Sequence, residues 1–176
     1  GFIAVVFAML LWGGLRVLLG DAPVAESASI GIEPSSQATG LLALLIVLRA
    51  FSQGCTALTG VEAISNGVPN FEPPKPANAA ATLALMGAIT IAMFAGITVL
   101  ALVADVRVAV TPEHLIGAPA GYEQKTVIAQ EAAAVFGAGS VPFFLVAVFT
   151  AAILVLAANT AFNGFPILAS ILGEDG

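Results

Sequence analysis

Four oxygen-bearing side chains stand at helical spacing in the second quarter of the chain. Ser52, Thr56, Thr59 and Glu62 follow steps of four, three and three, so an unbroken helix carries them on one face. Hydroxyl and carboxylate oxygens are hard donors and favour a hard cation. Gly54 and Gly60 bracket the set. Glycine lets a chain leave helical winding, or lets another backbone come close. If the helix unwinds at Gly54 and Gly60, freed carbonyls and helix ends join the side chains as ligands, as in the broken helices of membrane transporters. Thr56, Thr59, Gly60 and Glu62 are therefore the candidate ion- or substrate-binding residues. Desolvation raises a carboxyl pKa and a nearby cation lowers it, so Glu62 also suits a site that alternates between proton and cation.

Plainer roles compete for the same residues. Small residues are common where membrane helices touch, which suits Gly54. Ser52 and Thr56 can bond back to their own helix. Cys55 suits a small apolar filler. Glu62 stands twenty-one residues after Leu41 and can instead reach the far membrane surface. Arg49 lies roughly 12 Å into the same span at the helical rise, within range of snorkelling or structural pairing.

These residues need an apolar scaffold, and the composition supplies one. Of 176 residues, 59% are apolar and 9% are charged, against about 25% charged in soluble domains. A soluble chain of this length cannot hide so much apolar surface in one core, which makes lipid its natural solvent. The net charge is −6 and no run of Lys or Arg exists, which argues against nucleic acid as a partner. A single cysteine excludes a disulfide framework and a Cys metal cluster. The one histidine, His114, reads as a solvated loop residue. There is no Ser–His–Asp set, no metal cluster and no phosphate loop, so an enzyme is not expected, nor a bound cofactor.

Four apolar stretches read as membrane helices: about 2–19, 41–66 with its break, 82–104 and 142–161. Arg16 lies near enough to the end of the first to snorkel to the interface. Polar, turn-rich sections separate the stretches. The section from Asp105 to Glu131 runs into a short amphipathic helix at about 125–136, with Ile128, Ala132, Val135 and Phe136 on one face, lying on the surface or plugging a vestibule. Ser140 is placed to cap the fourth span, Pro142 suits its first turn, and Asn163, Gly164 and Pro166 are expected to close it. No strand is expected, because the alternation of a membrane barrel is absent. The fold class is an all-α membrane protein, one partial transmembrane domain over residues 1–176 with a broken second helix. The chain is apolar from Gly1 onwards and stops after Glu174 and Asp175; no signal peptide is read, and both ends read as cuts in a longer protein.

Two stretches carry a resemblance. Phe51 to Leu83 reads FSQGCTALTGVEAISNGVPNFEPPKPANAAATL, and Leu156 to Gly176 reads LAANTAFNGFPILASILGEDG. Together they resemble the amino acid–polyamine–organocation superfamily, and within it the potassium importers of the KUP group. There a T-G-x-E element breaks the sixth helix, here Thr59, Gly60, Val61 and Glu62. An amphipathic linker follows, here Glu72 to Asn78, with Ala77 where a basic residue is usual. The second stretch matches through Asn159 to Phe162, Phe165 with Pro166, and Leu168 to Ser170, but has Ile167 and Glu174 where the family usually has Arg. The resemblance implies helices five to eight of a five-plus-five inverted-repeat transporter. It places Gly1 and Asn70 towards the cytoplasm and the section 105–140 outside. The sparse basic residues, Lys75 against Arg107 and Lys125, lean slightly the other way.

The resemblance also implies roles. Thr59 becomes a potassium ligand and Glu62 the ion or proton site, completed by helices outside this chain. The expected function is proton-coupled potassium uptake by alternating access in a multi-pass protein of the cell membrane. Its partners are the lipid bilayer and the remaining transmembrane helices of the parent, with a homodimer left open. An amino acid permease of the same superfamily is the alternative within the fold, and a non-transporting structural or sensory membrane subunit is the alternative outside it.

Overall fold

The computed structural model describes residues 1–32, 40–55, 67–68, 71–109, 115–119 and 121–174. In chain order these form α1 (Phe2–Leu18), β1 (Gly31–Ile32), α2 (Leu41–Cys55), α3 (Lys75–Val103), β2 (Leu115–Ile116), α4 (Val127–Phe136) and α5 (Val141–Glu174). The protein is mostly helical. Among the described residues, α3 and the stretch Val141–Asn159 of α5 are long and apolar enough to cross a membrane. The helix α1, with 17 residues, is apolar but shorter. The part of the second expected span from 56 to 66 lies outside the described residues.

The chain divides into two compact units, Gly1–Ile32 with Gly96–Gly176, and Glu33–Ala95. The core of the first is built from Met9 of α1, Leu100 of α3, Ala132 and Val135 of α4, and Val146 of α5. Val5, Leu10, Ile128, Phe136 and Phe143 pack against it. Gly13 lets these elements close up: a Cβ there would lie 3.0 Å from Leu100 Cδ1 and 3.1 Å from Val135 Cγ2, tighter than ordinary contact.

Two helix ends in this unit share one device. At the end of α1 the amide of Gly20 donates to the Val17 carbonyl at 3.1 Å and that of Asp21 to the Arg16 carbonyl at 2.9 Å, with Gly20 at φ 81°. This is the paired bonding of a Schellman end. At the end of α3 the amides of Asp105 and Val106 repeat it, donating to Leu102 and Ala101. The left-handed residue is now Asp105, at φ 52°, a conformation that Asp tolerates better than most side chains. Arg107 grips its carboxylate through both Nε and Nη2, at 3.3 and 2.9 Å.

The short helix α4 is anchored at both ends. Arg16 Nη1 donates to the carbonyls of Ala134 and Val135 at 2.9 and 3.0 Å, and its Nε to Asp21 at 2.9 Å. The last carbonyls of a helix lack partners within it and sit at the negative end of its dipole, so a guanidinium suits them. Arg16 thus does more than reach for the interface: it fastens the end of α1 to the end of α4. After Gly137, Ser140 accepts the Phe143 amide at 3.2 Å, the expected cap of α5.

Three features depart from the sequence reading. β1 and β2 form a two-stranded antiparallel pair, Gly31 with Ile116 and Ile32 with Leu115. Two residues are too few to leave an alternating pattern, yet loop amides and carbonyls still need partners. α3 begins at Lys75 instead of 82. Pro76 is tolerated in a first turn, where its missing N–H would have no helical acceptor, and Asn78 Nδ2 donates back to the Glu72 carbonyl at 2.9 Å. Finally, α5 does not close at Asn163, Gly164 and Pro166 but continues to Glu174. Residues that end helices in water are tolerated in membrane helices, where freed backbone groups find partners on neighbours.

Candidate functional site

The helix α2 carries the start of the polar stripe. Arg49 and Ser52 are exposed on it. The chain keeps helical winding through Gly54 to Cys55, and a Cβ on Gly54 would meet nothing within 4 Å. Among the described residues, therefore, α2 keeps its winding through Gly54 and nothing packs against that glycine. Thr56, Thr59, Gly60 and Glu62 lie outside the described residues, and so does His114.

A second polar cluster, around α4, was not anticipated. Gln130, Glu131 and Ala132 are each 0% exposed. Consecutive helical residues point about 100° apart, so these three enclose α4 over about 200° of its circumference. Gln130 faces the loops. Its Oε1 accepts from Ser27 Oγ at 2.5 Å, and its Nε2 donates to the Lys125 carbonyl at 3.0 Å. Ser27 Oγ in turn accepts the Arg107 amide at 2.8 Å. One buried hydroxyl thus joins the loop after α1, the loop after α3 and the start of α4. Gln124 clasps both the amide and the carbonyl of Ala109, at 2.8 and 2.9 Å. Lys125 pairs with Glu26 at 2.5 Å.

Glu131 is the exception in this cluster. Neither carboxylate oxygen has a hydrogen-bond partner among the described residues. Burial alone pushes its pKa from the ordinary 4.5 up to about 8, because desolvation disfavours the charged form. At neutral pH this side chain is mostly a neutral acid. No cation stands one turn away on its own helix, where Val127 and Val135 occupy the i−4 and i+4 positions. A lone charged residue in a ten-residue helix whose other residues, Gln130 apart, are apolar is the sequence signal that could have marked it.

No group of three or more His, Cys, Asp and Glu able to hold a metal ion is found among the described residues. A groove of about 240 Å³ between α4 and α5 is lined by Ile128, Ala132, Val146, Ala147 and Leu154, with Thr126 and Thr150 as its hydroxyl-bearing residues. Its apolar lining does not suit a cation.

No family model matches the chain, and no solved structure matches it. Among curated proteins, the chain is 39% identical over 176 residues to "Potassium transporter KimA" of Bacillus subtilis (strain 168), an alignment covering 99% of this chain and 26% of that protein. The chain thus spans about a quarter of the length of the curated relative it matches.

Proposed function

We propose that the chain is part of a multi-pass cell-membrane transporter of the KUP group that takes up potassium. The observation that carries this reading is 39% identity, sustained over nearly the whole chain, to a protein named as a potassium transporter. The apolar helices α3 and α5 support a membrane setting. The same likeness favours potassium over an amino acid as cargo. Within this reading the fold is the five-plus-five inverted repeat of the amino acid–polyamine–organocation superfamily, with the chain supplying helices five to eight. Thr59 and the carbonyls freed beside Gly60 coordinate the ion, assisted by Thr56. Glu62 exchanges a proton for the cation's field, which couples uptake to the proton gradient.

The test uses the full-length parent. Potassium uptake into cells lacking their own high-affinity systems is compared for wild type, Thr59→Ala and Glu62→Gln. Each substitution is expected to lower uptake about tenfold or more, the equivalent of about 1.4 kcal/mol or more of lost ion binding. Unchanged potassium uptake in both variants discards the cation site. Amino acid uptake without potassium uptake in the wild type turns the reading to a permease, and uptake of neither turns it to a non-transporting subunit.

A further inference from the structure

We propose that Glu131 is a proton-binding site, filled while α4 is seated in the first unit and emptied when α4 leaves its seat. The proposal starts from enclosure. Glu131 is 0% exposed, covered by this chain's own residues, so no segment of a longer parent can reach its carboxyl unless α4 or its neighbours move. Both oxygens lack a partner among the described residues. An ionised carboxylate in such a place carries a heavy desolvation penalty, whereas a neutral acid carries a small one. The seated helix therefore holds the proton.

The cations around the seat are engaged elsewhere. From α1 comes Arg16, committed to Asp21 and to the Ala134 and Val135 carbonyls. From the loop after α3 comes Arg107, committed to Asp105. Lys125, ahead of α4, is committed to Glu26, and Glu123 stands two positions before it in sequence. The parts of α3 and α5 that flank the core, Gly96–Val103 and Val141–Asn159, carry no ionisable side chain. One turn along the same face as Glu131 lies Val135, which faces Gly13 and shares the core cluster with Leu100. Nothing in this setting replaces the proton by a fixed positive charge, which agrees with desolvation as the one cause of the raised pKa.

The helix is also built to leave. It has ten residues, too few to persist on propensity alone. Gly137 and Gly139, at φ 90° and 80°, follow it in a conformation that other residues rarely adopt. It is held by the Arg16 bonds at its end and by the Ser27–Gln130 bond near its start.

The sign of the linkage is fixed by the direction of the shift. The seated carboxyl titrates near 8 and an exposed one near its ordinary 4.5, so seating takes up a proton between those values. Seating is strongest below about 4.5, weakens by up to tenfold per pH unit towards about 8, and levels off above. The inference does not rest on potassium being the cargo, because its readout is the helix and not transport.

The experiment follows amide hydrogen exchange of residues 127–136 in the full-length parent in lipid vesicles, with equal pH on both sides, from about pH 5 to about pH 9. After correction for the intrinsic pH dependence of exchange, wild-type protection is expected to fall as pH rises, by up to about tenfold per unit. In Glu131→Gln, neutral at every pH, corrected protection is expected to stay flat and to exceed wild type at the alkaline end. If that variant fails to fold, Glu131→Met, also neutral and similar in length, carries the same expectation. The wild-type profile tests the idea without either. Flat wild-type protection, or the same fall in a folded neutral variant, overturns it.

Discussion

The helices α2 and α4 belong to different units and treat their side chains in opposite ways. In α2, Leu44, Leu45, Ile46, Val47 and Leu48 follow one another and are each 52–63% exposed. Five consecutive positions pass more than once around a helix, so α2 presents apolar surface on every side. Such a helix needs lipid or other helices all round it. α4 is shorter, yet it buries a glutamine and a glutamate completely. An acid in an apolar stretch of sequence is easily noticed and easily called functional. An acid in a short helix that follows a long polar section is easily passed over. The contrast teaches that the surrounding sequence of a charged residue is a poor measure of its surrounding atoms.

The sharpest way to break the contrast is to change one glycine in each unit. Gly13→Leu forces a branched side chain where even a Cβ would stand 3.0 Å from Leu100 Cδ1 and 3.1 Å from Val135 Cγ2. Overpacking of this kind costs about 3 kcal/mol at its upper end. Gly54→Ala, in open helical backbone with nothing within 4 Å of the new Cβ, is expected to gain roughly 0.5–1 kcal/mol instead. Denaturation of the full-length parent in detergent reads both. A destabilised Gly54→Ala beside a tolerated Gly13→Leu reverses the assignment of which unit is closely packed.

Much of the fold could be read from residues. The apolar runs marked where α1, α3 and α5 lie, the spacing of Ile128, Ala132, Val135 and Phe136 marked α4, and Ser140 marked the cap of α5. What escaped was decided by partners distant in sequence. Gln130 and Ser27 are 103 positions apart, and Arg16 meets Ala134 across 118. No local pattern encodes such meetings. Pro76 and Pro166 were read by their behaviour in water, whereas a first turn and a long apolar helix accommodate them. The candidate site divides likewise. Thr59 and Glu62 are expectations from a local motif, T-G-x-E, and lie outside the described residues, while the complete burial of Glu131 is a property of the fold.

A smaller effect tests the anchoring of α4 directly. Arg16→Met keeps a long apolar stem but removes the charged donor from two helix-end carbonyls. Hydrogen bonds of this kind contribute about 1.5–3 kcal/mol, so exchange of the α4 amides is expected to quicken by about tenfold or more while the α2 amides keep their rates. Arg16→Lys recovers part of the loss, because one ammonium replaces the charge but not the geometry of the guanidinium. Unchanged exchange in Arg16→Met means that the apolar contacts of Ala132 and Val135 suffice to seat the helix.

The smallest effect concerns the end of α3. Asp105 occupies the left-handed position, at φ 52°, that glycine usually fills at helix ends. Asp105→Val places a β-branched side chain there and costs roughly 1–2 kcal/mol. Asp105→Gly relieves the backbone but removes the exposed pair with Arg107, and surface pairs contribute about 0–1 kcal/mol. The two changes nearly cancel, so Asp105→Gly should unfold within about 0.5 kcal/mol of wild type. A loss beyond about 1 kcal/mol gives the pair a larger part. Arg107 also donates its amide to Ser27 and its Nη1 to the Ile30 carbonyl, so the carboxylate of Asp105 would then be steadying, through Arg107, the hydroxyl that holds Gln130.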